Sequence, residues 1–435
     1  MKKLFISAIV LLGMVFSASA QGLQRDMQFW RPYDQRGLNV FETGKEDTVA
    51  YEGMKVRIGG HFTQQWQNLS HSNTADIRRQ NPNDPNSLNL NQLIEIGAGT
   101  NLATANLNID VALADGLRLN LVSYLSSRHH PESWVKGGYI QVDKLGFLNL
   151  GNTDWFDKYL TVRVGHMEIN YGDAHFRRSD NGNAMWNPFV GNYIMDAFTT
   201  EVGGEVFFQS NGFLALAAVT GGEIQGGITS PAARKPNFIG KLGYDKYLTD
   251  DLRVRLTGSI YTTKGSARNT LWGGDRGGSR YYLVLENTLA TTAAQFTSGR
   301  FNPGQTNNIT AMVLNPFVKF HGLELFGNFE RSKGRAANEN TDRVWNQTGV
   351  DALYRFGTHE KFYIAGRYNK VSGTLAGSGL DVSIDRVQVG GGWFVTKNIL
   401  AKLEYVNQNY NGFAASDIRN GGKFNGLMIE GVIGF

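Results

Sequence analysis

The chain has no cysteine among its 435 residues. That excludes disulfide staples and thiolate metal sites. Proline is scarce, with nine residues, and no Pro-rich or Ser-rich stretch marks a linker between domains. No window holds the ~18–20 consecutive apolar residues of a membrane helix. An excess of one charge sign is also missing. Setting aside Lys2 and Lys3, the 43 Lys and Arg become 41, against 38 Asp and Glu. No nucleic-acid partner is expected, because binding phosphates needs a basic face.

The first twenty residues have the pattern of a secretory signal peptide. Lys2 and Lys3 precede an apolar run over 4–16, and Ala18-Ser19-Ala20 supplies a small-x-small cleavage site. Residues 21–52 are polar and irregular and read as a periplasmic lead-in. Residues 53–435 read as one β-barrel domain.

Alternation carries that reading. Val56, Ile58, Phe62 and Trp66 fall on one face of a strand, and Arg57, His61 and Gln65 on the other. Leu107, Ile109 and Val111 oppose Asn106, Asn108 and Asp110, and Ala114-Asp115-Gly116 then turns the chain. The same period of two recurs at 252–260, 323–330, 362–369, 386–393 and 399–405. One face is apolar and the other wet, as expected of a wall between lipid and water. A one-residue slip would put lumen charges into hydrocarbon, at about 2–4 kcal/mol for a midplane Arg or Lys.

Connections sort by length. Short ones fall at 114–116, 209–212, 247–251, 320–322, 357–360 and 396–398. Long polar ones lie between them, chiefly at 172–198 and 264–307. Short turns on one side and long loops on the other are the mark of a transmembrane antiparallel β-barrel. The parity gives sixteen strands, with eighteen as the alternative and long third and fifth outer loops. RYYLVLENTLA at 280–290 is expected as a hairpin or helix inside the fifth loop, or as an extra strand pair. The last strand ends on Phe435, the expected signal for the barrel-assembly machinery.

Sixteen tilted strands enclose a lumen too wide for side chains to fill. Loop 172–198 carries Trp186, Phe189, Tyr193, Met195 and Phe198. So much apolar surface is expected to fold inward and constrict the passage. VRVGHMEINYGDAHFRRSDN, preceded by WVKGGYIQVDKLGFLNL, resembles the phosphate-selective-type (pyrophosphate/phosphate) porins. In that family a strand reading Val-x-Val-Gly leads through a short stretch ending in Gly into the pore loop; Gly165 and Gly172 match. The resemblance implies a homotrimer in outer-membrane lipid that passes small hydrophilic, often anionic solutes. The family's lysine cluster is absent here.

The expected constriction and selectivity residues are Arg163, Asp173, His175, Arg177 and Arg178, with Arg57, Arg118, Arg253, Arg255 and Arg386 on the wall. Lys241, Arg355, Arg367 and Lys402 add inward cations. Asp110, Asp143, Glu324, Glu330, Asp351, Glu404 and Glu430 oppose them. The modest positive excess suggests weak anion preference; the bland reading is that these charges pair and merely hydrate the wall. No cofactor or metal is expected. The one dense hydrolytic candidate is His129-His130 with Glu132 and Ser133, and no enzyme is expected from it. A docking barrel with no open lumen is the alternative function.

Overall fold

The computed structural model describes residues 26–47, 49–225, 234–266, 268–277 and 280–435. The leader assigned to 1–20 lies outside the described residues. Sixteen antiparallel strands form a closed ring. They are β1 (Lys55–Ser72), β2 (Thr104–Ala114), β3 (Leu117–Leu125), β4 (Trp134–Val142), β5 (Leu160–Glu168), β6 (Thr200–Ser210), β7 (Phe213–Thr220) and β8 (Asn237–Tyr247). Then follow β9 (Leu252–Thr263), β10 (Asn308–Phe320), β11 (Leu323–Arg335), β12 (Arg343–Phe356), β13 (Phe362–Thr374), β14 (Asp381–Thr396), β15 (Ile399–Asn411) and β16 (Lys423–Gly434).

Closure runs through β1. Its first half pairs with β2, from Lys55 opposite Ala112. Its second half pairs with β16, from His61 opposite Gly434 to Ser72 opposite Lys423. No edge is left open for another chain to pair with. A two-residue piece, Gly99–Thr100, pairs beside β1 at Trp66 and Gln67.

The alternation read from the sequence is the alternation of the wall. Along β15, outward and buried residues swap at every step from Ile399 to Tyr405. Outward Val56, Ile58, Leu403, Ile429 and Phe435 are exposed, as lipid-facing residues are when no lipid is present. Tyr354, Phe356, Phe362 and Trp393 stack in series along the short-turn rim, with centroids 5.7–6.2 Å apart. This is an aromatic girdle at the interface. Phe435 closes the ring at its base, exchanging backbone hydrogen bonds with Gly60 at 2.9 and 3.0 Å.

Two connections differ from expectation. The link from β4 to β5 is on the short-turn side, yet spans 143–159 and carries a helix at Asp154–Tyr159. The aromatic string at 280–290 is neither hairpin, helix nor strand pair. It forms turns, with an isolated bridge from Asn287 to Leu93. Its rings are buried among wall residues, so packing replaces regular hydrogen bonding there.

The lumen is filled by three segments: residues 27–47 from below, 169–199 from the side, and 268–277 with 280–305 from above. Met27, Phe29, Tyr33 and Phe41 of the first are buried. Met185, Phe189, Ile194 and Phe198 of the second are nearly inaccessible, as are Leu271 and Tyr281 of the third. Two glycines show how closely these segments press on the wall. A Cβ on Gly182 would lie 2.2 Å from the His61 carbonyl oxygen. One on wall residue Gly349 would lie 2.4 Å from the Tyr193 ring.

Candidate functional site

A loop inside a barrel has no ladder partner for its backbone, and buried amides and carbonyls must be paired. Here wall side chains supply the partners. Gln347 accepts from the Met195 amide at 3.0 Å and donates back to the Met195 carbonyl at 2.6 Å. Asn369 accepts from the Ile194 amide at 2.6 Å, and Glu404 from the Val190 amide at 2.7 Å. Arg386 donates to the Asn192 carbonyl at 2.6 Å, Arg367 to the Gly191 carbonyl at 3.0 Å and Tyr363 to the Pro188 carbonyl at 3.0 Å. Lys402 donates to the carbonyls of Ala184 and Phe189. The segment 184–195 is thereby fixed, residue by residue, to β12–β15.

The filling also meets β1 and β2, where Thr63 donates to the Gly182 carbonyl at 2.7 Å and Thr104 to the Asn181 carbonyl at 3.0 Å, and a cavity of about 200 Å³ remains between it and β2–β5. Arg118, Asn120, Tyr139 and Arg163 line it from the wall, and Arg31, His175, Arg178 and Trp186 from the filling. Arg118 pairs with Asp110 at 2.9 Å and donates to Gln141 at 3.0 Å. Arg163 donates to Gln141 at 2.8 Å and reaches Glu205 at 3.2 Å. Its side chain is 22% exposed, against 9% for Arg118, so it is the more open of the two wall arginines. Lys136 also lines the cavity and pairs with Asp180.

Arg31 lies flat over Trp186, 3.7 Å from the ring centre, and donates to the Phe176 and Gly37 carbonyls. Burial pushes its guanidinium down to about 9, with Glu168 opposing the shift; it remains cationic at neutral pH. His175 bonds Glu168 at 2.6 Å through Nδ1 and Asn170 at 3.2 Å through Nε2.

Of the residues expected at the constriction, Arg118, Arg163, His175 and Arg178 meet at this cavity. Arg178 is also the anchor of the filling, held by Asp196 and Asp275 at 2.6 Å each. The others lie elsewhere. Asp173 joins Arg255 and Lys241 at 2.7 and 2.6 Å, and Glu42 of the lead-in completes this cluster. The two cations hold the Glu42 carboxyl down at about 2 against its burial. Arg253 pairs with Asp245 at 2.7 Å. Arg177 reaches Glu324 at 3.5 Å and bonds Asn39. Arg57 lies 3.3 Å over the Trp30 ring, and Arg386 sits among carbonyls high on β14.

Sequence reading missed Lys136 and Arg31. Strict alternation back from inward Gln141 turns Lys136 to lipid. The register shift opposite Val122 and Ser123, where Lys136 is the extra residue between Val135 and Gly137, reverses the phase. The paired glycines were the available signal. Arg31 lies in a lead-in whose aromatics, Phe29, Trp30 and Tyr33, already argued against a solvated segment.

In the hydrolytic candidate His129, Glu132 and Ser133 have other partners. His129 stacks on Trp134 at 4.1 Å, Glu132 accepts from the Trp134 indole at 2.8 Å, and Ser133 bonds Ser123 at 2.8 Å. Among the described residues no three His, Asp or Glu are placed to hold a metal.

No family model matches the chain, and no curated protein matches it. Solved structures do. An anion-selective porin from Comamonas acidovorans is similar over 88% of this chain and 100% of its own, at 12% identity and a TM-score of 0.52. The chain has the fold of an outer-membrane porin. The outer membrane channel DcaP of Acinetobacter baumannii covers 89% of this chain and 99% of its own, at 10% identity and a TM-score of 0.49. Pseudomonas putida OprB covers 87% and 94%, at 9% identity and a TM-score of 0.49.

Proposed function

We propose that the chain is a porin that lets small hydrophilic solutes, anions ahead of cations, diffuse along the β2–β5 wall. One observation carries this reading. Segment 184–195 is fixed to β12–β15, and across the lumen from it lies the cavity lined by Arg31, Arg118, Lys136, Arg163 and Arg178. Glu168 and Asp180 are the acids there; Lys136 pairs with Asp180, and Glu168 is hydrogen-bonded to His175. Water-filled clefts with net positive lining concentrate anions. Loop 172–198 is the constriction in this reading, and its Arg178 is the residue serving both as anchor and as lining. The string resembling phosphate-type porins contributes Arg163 and His175, so phosphate and small carboxylates are the solutes to try first. A homotrimer set in outer-membrane lipid, with Phe435 read by the assembly machinery, completes the proposal.

Reversal potentials in planar bilayers under a KCl gradient test it. The native barrel is expected to favour chloride, and Arg163→Ala with Lys136→Ala to remove the preference. Cation preference in the native barrel refutes the reading. A second reading, a closed docking barrel, is favoured by residues 27–47 occupying the lower mouth; absence of any current supports it.

A further inference from the structure

The outside of the barrel carries a feature that transport does not use. An open groove of about 1120 Å³ runs across β8–β12. Outward Leu242, Leu256, Ile260, Met312, Leu314 and Phe329 line it, all exposed. Two glycines make it concave. Gly240 faces Ile260, and Gly258 sits between Leu242 and Leu314 in the ladder. A Cβ on Gly258 would meet nothing within 4 Å.

The groove is topped by charge. In the ladder, Met312 is followed by Arg331 and then Asn346. One step below, Phe329 is followed by Thr348 and then Lys370. Lys333 lies two residues beyond Arg331, beside Thr310. All three cations point outward and are exposed. They lie at the long-loop end, because β11 and β13 both rise from short turns. None forms an ion pair among the described residues. Asp385 is the Lys370 neighbour on β14, but its carboxylate is held by the Asn409 and Asn411 amides at 3.1 and 3.0 Å. Lys423, at the start of β16, is a further outward and exposed cation, but β16 is not among the strands of the groove. Outward Leu107, Leu121, Val202, Val219 and Phe238 keep the β2–β8 exterior apolar.

We propose that this face binds one phosphorylated glycolipid of the outer leaflet, with acyl chains in the groove and phosphates on Arg331, Lys333 and Lys370. The apolar trough and the cations sit in the order in which such a lipid presents its chains and head group. The proposal stands whether or not the lumen conducts.

The test is native mass spectrometry of the full chain with bisphosphorylated lipid A, and with phosphatidylglycerol as the rival anionic lipid. The native barrel is expected to retain lipid A over phosphatidylglycerol. Arg331→Ala with Lys333→Ala and Lys370→Ala should cut retention by roughly a hundredfold, at a factor of about five per interfacial cation. Gly258→Leu puts a side chain into the trough at a position where its Cβ meets nothing within 4 Å, and it should also displace the lipid. Equal retention of the two lipids by the native barrel overturns the proposal. So does unchanged retention in both variants, or a Gly258→Leu protein that loses a subunit instead of a lipid.

Discussion

The two sides of this barrel differ in height and in what touches them. Strands β9–β16 are 12–16 residues long, and their inward side chains are spent on the loops they hold. Strands β3–β5 have nine residues each, and their arginines face open space. The same residue type therefore has two roles. Arg367 and Arg386 act as backbone caps for a loop that cannot cap itself. Arg163, on the other side, pairs with one acid and keeps part of its surface in water. A lumen charge indicates function only where the filling leaves it uncovered.

The largest expected effect comes from the lower mouth, which the lead-in bridges between the two sides. Lys45 bonds the carbonyls of Asp143 and Leu160 on one side, and Asn39 bonds Glu324 on the other, at 2.7 Å. Deleting 26–47 should raise single-channel conductance at least about twofold, because the narrowest stretch loses one of its walls. If conductance stays the same, the lead-in does not border the path, and the passage does not lie along β2–β5.

The next test sets one arginine from each side against the other. Arg367→Ala leaves Asp351 buried with the Tyr193 hydroxyl at 3.0 Å and no cation. Stranding a buried charge in this way costs about 3–5 kcal/mol, readable by urea unfolding of the refolded barrel. Arg163→Ala strands Glu205, which is buried as well, but the space left opens onto the cavity that Arg163 lines, so water reaches the carboxylate and a smaller loss is expected. The reverse is expected for ion selectivity, which Arg163→Ala shifts and Arg367→Ala leaves alone. Equal stability losses would mean that the two sides are held alike.

Much of this was legible in the sequence. Period-two alternation gave the wall, loop parity gave sixteen strands, and the apolar side chains of 172–198 announced a loop that goes inside. The wall charges expected on the inner face, from Arg57 on β1 to Glu430 on β16, alternate with exposed apolar residues, since one face in water leaves them nowhere else to point. Their pairing was not legible. Asp173 finds Arg255 and Glu42 only once three distant segments share one space, and alternation carries no information about that. Nor could periodicity place Lys136, because a bulge resets the phase. The irregular 280–290 string misled because its aromatic and β-branched residues suit a strand as well as a buried turn.

The smallest effect concerns the cap above the long strands, where Glu286 lies beside the Leu93–Asn287 bridge. Burial raises its carboxyl to about 7, with Arg419 opposing. A carboxyl raised by folding favours the folded loop while protonated, so its contribution is complete below the ordinary value near 4.5. It is lost as pH climbs through about 7. The Ile94 amide donates to the Glu286 carbonyl at 2.9 Å and reports on the cap directly. Its hydrogen exchange, corrected for intrinsic rate, should be faster at pH 8 than at pH 5. Glu286→Gln should abolish that difference, while the corrected exchange of β3–β5 amides should be alike at the two pH values in both proteins. A pH response shared by the short strands would tie the cap to the whole ring and erase the distinction between the two sides.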